Sequence, residues 1–419
     1  MNRIRSLISV GALCAGLLAG AVPAQGAAPT LLSQNKPVTA SSDGGAGYVA
    51  KYAVDGSTST RWASVKNVDP QWIYVDLGST VGVTGYDVYS GGGVPSSITT
   101  ISSGWSIPWG MSWLPDGSAL INERDSFKVF KLTPGGTRTQ VGTVPNAVTT
   151  SGEGGLLGIA VSRHWSSDHY VYIMHTASEG NRIVRMTYDG SSLSGYKILV
   201  QGIKKSKYHN GGRLKFGPDG YLYATTGEAQ TPDLAQDKSS LNGKILRMTT
   251  DGRPAPGNPF GTLVYSYGHR NPQGITWDPQ GRLWEAEFGN SAYDEVNLIQ
   301  PGNNYGWPTC EGTCSTSGMT DPKVQWPVSQ ASPSDITYAD GSLYVAALRG
   351  QRLWRVPVSG TTTGTPVSYY VNTYGRLRTV ETVPGSNALW LSTTNCDNNG
   401  NQPAGSDKVF RVDLSNTRS

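Results

Sequence analysis

Charge is scarce in this chain. Only 15% of its 419 residues are Asp, Glu, Lys or Arg, and the formal net charge is +4. So small an excess leaves no basic footprint, and nucleic acid is excluded as the expected partner. Cysteine is as sparse, with four residues, so neither a disulfide-dense scaffold nor a Cys/His metal ribbon is expected. Long apolar runs are missing after Val22, so no later segment is expected to span a membrane. Histidine is limited to five positions, and each can be weighed by itself. Abundant instead are glycine (53), proline (25), tyrosine (21) and tryptophan (12). That mixture suits many short strands joined by tight turns and does not suit a helical bundle.

The N-terminus reads as a secretory signal. Arg3 and Arg5 are followed by an apolar run from Leu7 to Val22 and by small residues around Ala24 to Ala28. The run is short and broken by glycine, which argues against an anchor. The expectation is a signal peptide over 1–28 and a secreted mature chain. In an oxidising compartment Cys310 and Cys314 could close a small loop, leaving Cys396 as a buried thiol.

A turn followed by a short apolar strand recurs six times. The turns are Pro115-Asp116-Gly117, Ser167-Asp168, Pro218-Asp219-Gly220, Pro279-Gln280-Gly281, Asp340-Gly341 and Pro384-Gly385. They lead to strands beginning at Ala119, Tyr170, Tyr221, Leu283, Leu343 and Leu389. A second element follows each strand and alternates basic with apolar residues, as in Lys128-Val-Phe-Lys-Leu132 and Lys408-Val-Phe-Arg-Val412. In the fourth repeat Asp294-Glu-Val-Asn-Leu298 takes that place. Alternation of period two reads as a half-buried strand. A β-sandwich is the competing reading. Two elements recurring in the same order favour a ring of blades, which buries both faces of each blade. The expected fold is therefore all-β, a six-bladed β-propeller over 101–415.

Residues 33–90 stand outside this register. Asn35-Lys-Pro-Val-Thr-Ala-Ser-Ser42, Ala53-Val-Asp-Gly-Ser-Thr-Ser-Thr-Arg-Trp62 and Gln71-Trp-Ile-Tyr-Val-Asp-Leu-Gly78 resemble the opening half of a discoidin (coagulation-factor type C) domain. The second half of that jelly roll is missing. A half-domain leaves edges unpaired and a core incomplete, so a working carbohydrate- or lipid-binding module is not expected there. Residues 91–100 read as a linker.

Two histidines lie in glycine-bearing loops that enter successive blades. His209 is in Tyr208-His-Asn-Gly-Gly-Arg-Leu214, and His269 is in Tyr267-Gly-His-Arg-Asn-Pro-Gln-Gly274. Either could open onto one end of the ring, whereas His164, His169 and His175 read as structural. Arg270 beside His269 could stabilise an oxyanion or clamp a carboxylate. Arg349, Arg376 and Arg378 lie in later repeats, and the last two would share a face on a strand. Convergent arginines imply a small polyanionic ligand, and a solvated basic face is the alternative. Phe288-Gly-Asn-Ser-Ala-Tyr-Asp-Glu-Val-Asn297 offers hard oxygen ligands suited to calcium.

Gly152-Glu-Gly-Gly-Leu-Leu-Gly158, His209-Asn-Gly-Gly-Arg-Leu214, Asp233-Leu-Ala-Gln-Asp237 with Gly243-Lys-Ile-Leu-Arg247, Tyr267-Gly-His-Arg-Asn-Pro-Gln-Gly274, and Asp294-Glu-Val-Asn-Leu-Ile299 with Gly302-Asn-Asn-Tyr-Gly-Trp-Pro308 occur in that order. Together they resemble the soluble PQQ-dependent aldose (glucose/sorbosone) dehydrogenase family, over about Ile101 to Leu414. The resemblance implies pyrroloquinoline quinone (PQQ) and calcium as cofactors, an aldose sugar as substrate and an external electron acceptor. It implies His209 as the general base and Arg270 as the group stabilising charge on the quinone oxygen. It places Glu153, Arg270, Asn271, Arg349, Arg376 and Arg378 at cofactor-contacting positions. One calcium would take the carbonyls of Gly289 and Asn290, and a second would take Glu295 and the carbonyl of Tyr305. Three positions depart from the family pattern. Glu228 replaces the Asp that orients the histidine, Glu153 replaces a Gln, and Phe288 and Asn290 replace a polar residue and a Pro. The competing functions are a non-catalytic secreted propeller that binds carbohydrate or a cell-surface ligand, and a calcium-dependent propeller hydrolase. Neither needs a loop histidine together with an arginine clamp, and fold alone cannot choose among the three.

Overall fold

The computed structural model describes residues 93–415 continuously and, before them, residues 8–9, 35–40, 42–54, 63 and 72–75. The expected signal over 1–28 lies outside the described residues except for 8–9. So does most of the discoidin-like segment. Two compact units divide the chain, residues 1–94 with 415–419, and Pro95–Leu414. In the first, Trp72–Val75 pairs with both Val38–Ala40 and Ile8–Ser9, and Ala50–Ala53 forms one 3-10 turn. Among the described residues no helix is long and apolar enough to cross a membrane.

The second unit is a six-bladed β-propeller. Blade one holds Pro108–Trp113, Ala119–Glu123, Lys128–Leu132 and Arg138–Thr143. Blade two holds Leu156–Val161, Tyr170–Thr176, Asn181–Tyr188 and Leu193–Ile203. Blade three holds Leu214–Phe216, Leu222–Thr226, Lys244–Met248 and Val264–Tyr267. Blade four holds Pro272–Trp277, Leu283–Glu287, Tyr293–Ile299 and Val324–Pro327. Blade five begins with Pro333–Ala339, Ser342–Ala347 and Arg352–Ser359, and its outer edge is Thr362–Thr363 and Val367–Tyr369. Blade six has Leu377–Thr382, Ala388–Thr393 and Asp407–Ser415, and Val94–Trp105 supplies its fourth strand.

The recurring turn-and-strand of the sequence is the second strand of each blade, and the alternating element is the third. Alternation places one set of apolar side chains on each side of a blade, so each gap between blades fills separately. Six apolar clusters result, one at each interface. Trp284 and Val296 of blade four, for example, meet Ile336 and Val345 of blade five. The first strands touch one another around the ring, in the order one to six and back to one. They crowd closely: a Cβ on Gly158 in blade two would lie 2.2 Å from the Gly212 carbonyl oxygen at the entry to blade three.

One expectation is corrected here. Residues 94–100 are not a linker. They form the first half of the Val94–Trp105 strand, which closes the last blade with the chain's own N-terminal side. Closure removes an unpaired sheet edge, a gain that local composition does not display.

Candidate active site

In an up-and-down blade, the loop between strands two and three and the loop to the next blade open at the same end. Glu153, His209, Arg270, Asn271 and Arg376 lie in or next to inter-blade loops. Glu228, Gly289, Asn290 and Arg349 lie in loops between second and third strands. Arg378 and Glu295 are near the adjoining strand ends. Tyr305 belongs to the long 300–323 connection. That segment returns along blade three, where the Tyr305 amide donates to the Tyr267 carbonyl at 2.9 Å. Topology thus gathers residues from five blades at one end of the ring.

His209 sits in the left-handed region, with φ 60°. Its carbonyl accepts from the Ala229 amide at 3.0 Å. Its own amide donates to Glu153 Oε2 at 2.9 Å. The approach of the 227–229 turn is close enough that a Cβ on Gly227 would lie 2.1 Å from the His209 oxygen, so glycine is required there. The ring's Nδ1 donates to Oε1 of buried Glu228, whose Oε2 accepts from the Thr231 amide. With Nδ1 committed, Nε2 carries the lone pair for proton transfer. The side chain is 17% exposed.

Arg270 is mostly buried. Its amide donates to Glu287 Oε1, and its guanidinium reaches the carbonyls of Phe288 and Gly289 and Oδ1 of Asn290. It also lies over the Trp307 ring at 5.3 Å. Burial pulls its pKa down, and Glu228 and Glu153 oppose that pull. Asn271 is fully buried; it donates to Glu153 Oε2 at 3.0 Å and accepts from the Gly211 amide at 3.0 Å.

His269 is not part of the open site. It is fully buried, bonded through Nδ1 to Glu287 and through Nε2 to Ser266, and stacked on Tyr305 at 4.8 Å. Arg376 and Arg378 do share a face, because both reach Oδ2 of Asp397, at 3.0 Å and 3.5 Å. Arg378 is fully buried and also donates to Gln273 Oε1 at 2.9 Å. Burial lowers its pKa to about 10, so it stays charged at neutral pH. Arg349 is exposed at the same end. Next to this cluster lies a cavity of about 380 Å³ lined by Arg124, Asp125, Ser151, Gly152, Asp397 and Asn398, among others.

The expected metal region is dense in buried oxygen. Glu287 and Glu295 stand directly opposite each other on adjacent strands, and Glu285 faces Asn297. Three buried carboxylates so close repel one another. Burial first, then Glu287, pushes Glu295 up to about 8, and burial pushes Glu285 well above the carboxylate range. The adjoining turn wraps around Glu311, whose Oε1 accepts from the amides of Asn290, Ser291, Ala292 and Tyr293 at 2.6–3.0 Å. Glu311 is held between Cys310 and Cys314, which form a disulfide. The next residue, Gly312, donates its amide to Glu295 Oε1 at 2.6 Å.

Asp397, Glu285, Glu287 and Glu311 were not found by sequence reasoning. The Glu-Ala-Glu287 run on the second strand of blade four, beside Asp294 and Glu295, was the one signal for two of them. Glu311 and Asp397 lie in loops whose folded position no local pattern reveals. Cys396 is only half-buried, with Sγ 2.8 Å from Asp407 Oδ2.

The profile of the glucose/sorbosone dehydrogenase family matches residues 105–401, and that of the F5/8 type C domain matches residues 37–111. Among characterised relatives, quinoprotein glucose dehydrogenase B of Acinetobacter calcoaceticus is 33% identical over 255 residues, 52% of this chain and 53% of that protein. Aldose sugar dehydrogenase YliI of Escherichia coli is 28% identical over 258 residues, 58% of this chain and 69% of that protein. The solved PQQ-bound aldose sugar dehydrogenase of Streptomyces coelicolor superposes with a TM-score of 0.74 at 47% identity. That match covers 77% of this chain and all of the other.

Proposed function

The chain belongs to the glucose/sorbosone dehydrogenase family, and from that premise we propose that it is a secreted PQQ-dependent dehydrogenase oxidising the C1 hydroxyl of an aldose sugar to a lactone. The observation that carries this reading is the His209–Glu228 pair set beside Arg270, with arginines from blade six at the same end of the ring.

The residues present fit a polycarboxylate cofactor. The buried Nε donors of Arg270, Arg376 and Arg378 have no hydrogen-bond partner among the described residues. Unsatisfied buried donors are costly, and a carboxylated ligand would satisfy them. Arg270, Asn271, Arg376 and Arg378 would hold PQQ, with exposed Arg349 at its edge. When bound, PQQ supplies the quinone that accepts the C1 hydrogen as hydride. His209 Nε2 takes the proton of the C1 hydroxyl, leaving the C1–O bond to become a carbonyl. Glu228 fixes the tautomer and stabilises the imidazolium that results. Arg270 offsets negative charge as it develops. Turnover would need an external electron acceptor to reoxidise the bound quinone.

The residues also fit calcium. Oε1 of Glu285 and Oδ1 of Asn297 are buried acceptors without a partner among the described residues, beside Glu287 and Glu295. A hard cation would satisfy these oxygens and neutralise the carboxylates. Glu295 with the Tyr305 carbonyl, and the Gly289 and Asn290 carbonyls, are the proposed ligands. Secretion rests on the residue pattern of 1–28.

The test adds PQQ and calcium to purified protein and follows dye reduction with a panel of aldoses. Sugar-dependent reduction that falls by about 10²–10⁴-fold in His209→Ala supports the reading. Failure to bind PQQ at all overturns it and favours a non-catalytic binding propeller.

A further inference from the structure

Glu153 occupies a position that the family resemblance assigns to cofactor contact, with a carboxylate where an amide is usual. Its geometry describes a different task. One oxygen, Oε2, accepts two N–H bonds, from the His209 backbone at 2.9 Å and from Asn271 Nδ2 at 3.0 Å. Asn271 in turn accepts from the Gly211 amide at 3.0 Å. The segment 209–211 is therefore gripped at both ends by one connected pair of side chains. His209 and Gly211 both have positive φ, 60° and 64°. A non-glycine residue in that region is strained and persists only where the surroundings impose it. Glu153 enters from the loop before blade two, Asn271 from the loop before blade four, and the histidine lies between them. The Glu153 amide is itself anchored on the Lys207 carbonyl at 2.8 Å, two residues before His209.

We infer that Glu153 is a positioning residue. It holds the backbone of the general base, ties that base to the Asn271–Arg270 arm, and acts through one acceptor oxygen rather than through its charge. This rests on the proposed dehydrogenase reading for its effect on catalysis, but the backbone contact itself does not depend on that reading.

The discriminating pair is Glu153→Gln and Glu153→Ala. Glutamine keeps one oxygen able to accept both bonds and removes the charge. Alanine removes the acceptor. In the PQQ- and calcium-loaded enzyme, Glu153→Ala is expected to lose about 30–100-fold in kcat, the scale of a misplaced catalytic group. Its KM for the sugar and Kd for PQQ should stay within about threefold. Glu153→Gln should recover kcat to within about threefold of the parent. The acid limb of its pH profile should not move. Hydrogen exchange at the His209 amide, measured without cofactor or sugar, should accelerate in Glu153→Ala and not in Glu153→Gln. Equal losses in both variants, or a displaced acid limb in Glu153→Gln, would overturn the positioning role in favour of a charge or ligand-contact role. Unchanged kcat in Glu153→Ala would overturn it outright. An unfolded alanine variant would show as lost PQQ binding, and the glutamine variant then decides by itself. If the parent neither binds PQQ nor oxidises sugars, the dehydrogenase reading has failed, and the exchange measurement still tests the contact.

Discussion

Glu228 is one methylene longer than the aspartate the family pattern leads one to expect beside His209, and the fold uses the added length. Its two oxygens serve different partners, the imidazole Nδ1 and the Thr231 amide. Glu228→Asp cannot span both, and a loss of about tenfold in kcat is expected. Glu228→Gln presents a neutral partner to the imidazolium, and a loss of about a hundredfold is expected, read by dye reduction. Cys396 offers a second check at this scale. Burial, then the Asp407 carboxylate, raises its thiol to about 12. A thiol needs its thiolate to react. Cys396 should therefore stay silent to a thiol reagent at about pH 8 in the folded protein and react only on unfolding.

At the scale of elements, the turn of blade four and the loop bracketed by Cys310 and Cys314 behave as one unit. Four consecutive amides of the turn converge on Glu311, an anion-binding nest built from backbone. Opening the disulfide, by reductant or by a paired Cys310→Ser and Cys314→Ser change, frees Glu311 and slackens the turn that carries the proposed calcium carbonyls. Calcium should then raise Tm by less than half of what it does in the parent, measured by thermal unfolding with and without the ion. The second and third strands were legible from turns and alternation. The first strands were not, because they face their neighbours closely on both sides, and a strand such as Leu156–Val161 is buried along almost its whole length and shows no alternation. Residues 91–100 read as a linker because the partner of the strand that starts at Val94, Asp407–Ser415, lies some three hundred positions away. Truncation before residue 93 should leave the propeller folded, whereas truncation through residue 106 should abolish cooperative unfolding, because an open blade exposes a long edge.

Across the whole molecule, one guanidinium ties the ring together. Arg213, at the entry to blade three, donates to the carbonyls of Trp109, Gln273 and Ser334 and pairs with Asp335. Those partners belong to blades one, four and five. Arg213→Met strands the buried Asp335 charge, and a cost of about 3–5 kcal/mol is expected from denaturant unfolding. The acidic cluster of blade four sets a pH dependence of the opposite kind from ordinary carboxylates. Glu295 has its folded pKa raised from 4.5 to about 8, by burial first and by Glu287 second. The folded state therefore holds its proton more tightly than the unfolded chain. Its stabilising contribution is complete below about pH 4.5 and is lost as pH rises toward about 8. Without calcium, Tm should fall across that window. With calcium, which replaces the proton as counter-charge, the fall should flatten.

The sequence by itself determined the fold class, the six repeats, the order of the motifs and the residue types that carry the chemistry. Each of those is written in local spacing: turn residues at fixed offsets, alternation of period two, a histidine between glycines. Tertiary structure alone decided how differently the two loop histidines are surrounded, and those surroundings agree with the motif resemblance that points to His209. His209 and His269 have similar local surroundings in the sequence, but only the ring geometry buries His269 against Glu287 and leaves His209 partly exposed. It also decided that Asp397 joins Arg376 to Arg378, that Glu311 organises the turn of blade four, and that Val94–Trp105 completes the last blade. These are contacts between residues far apart in the chain, and no local pattern encodes them.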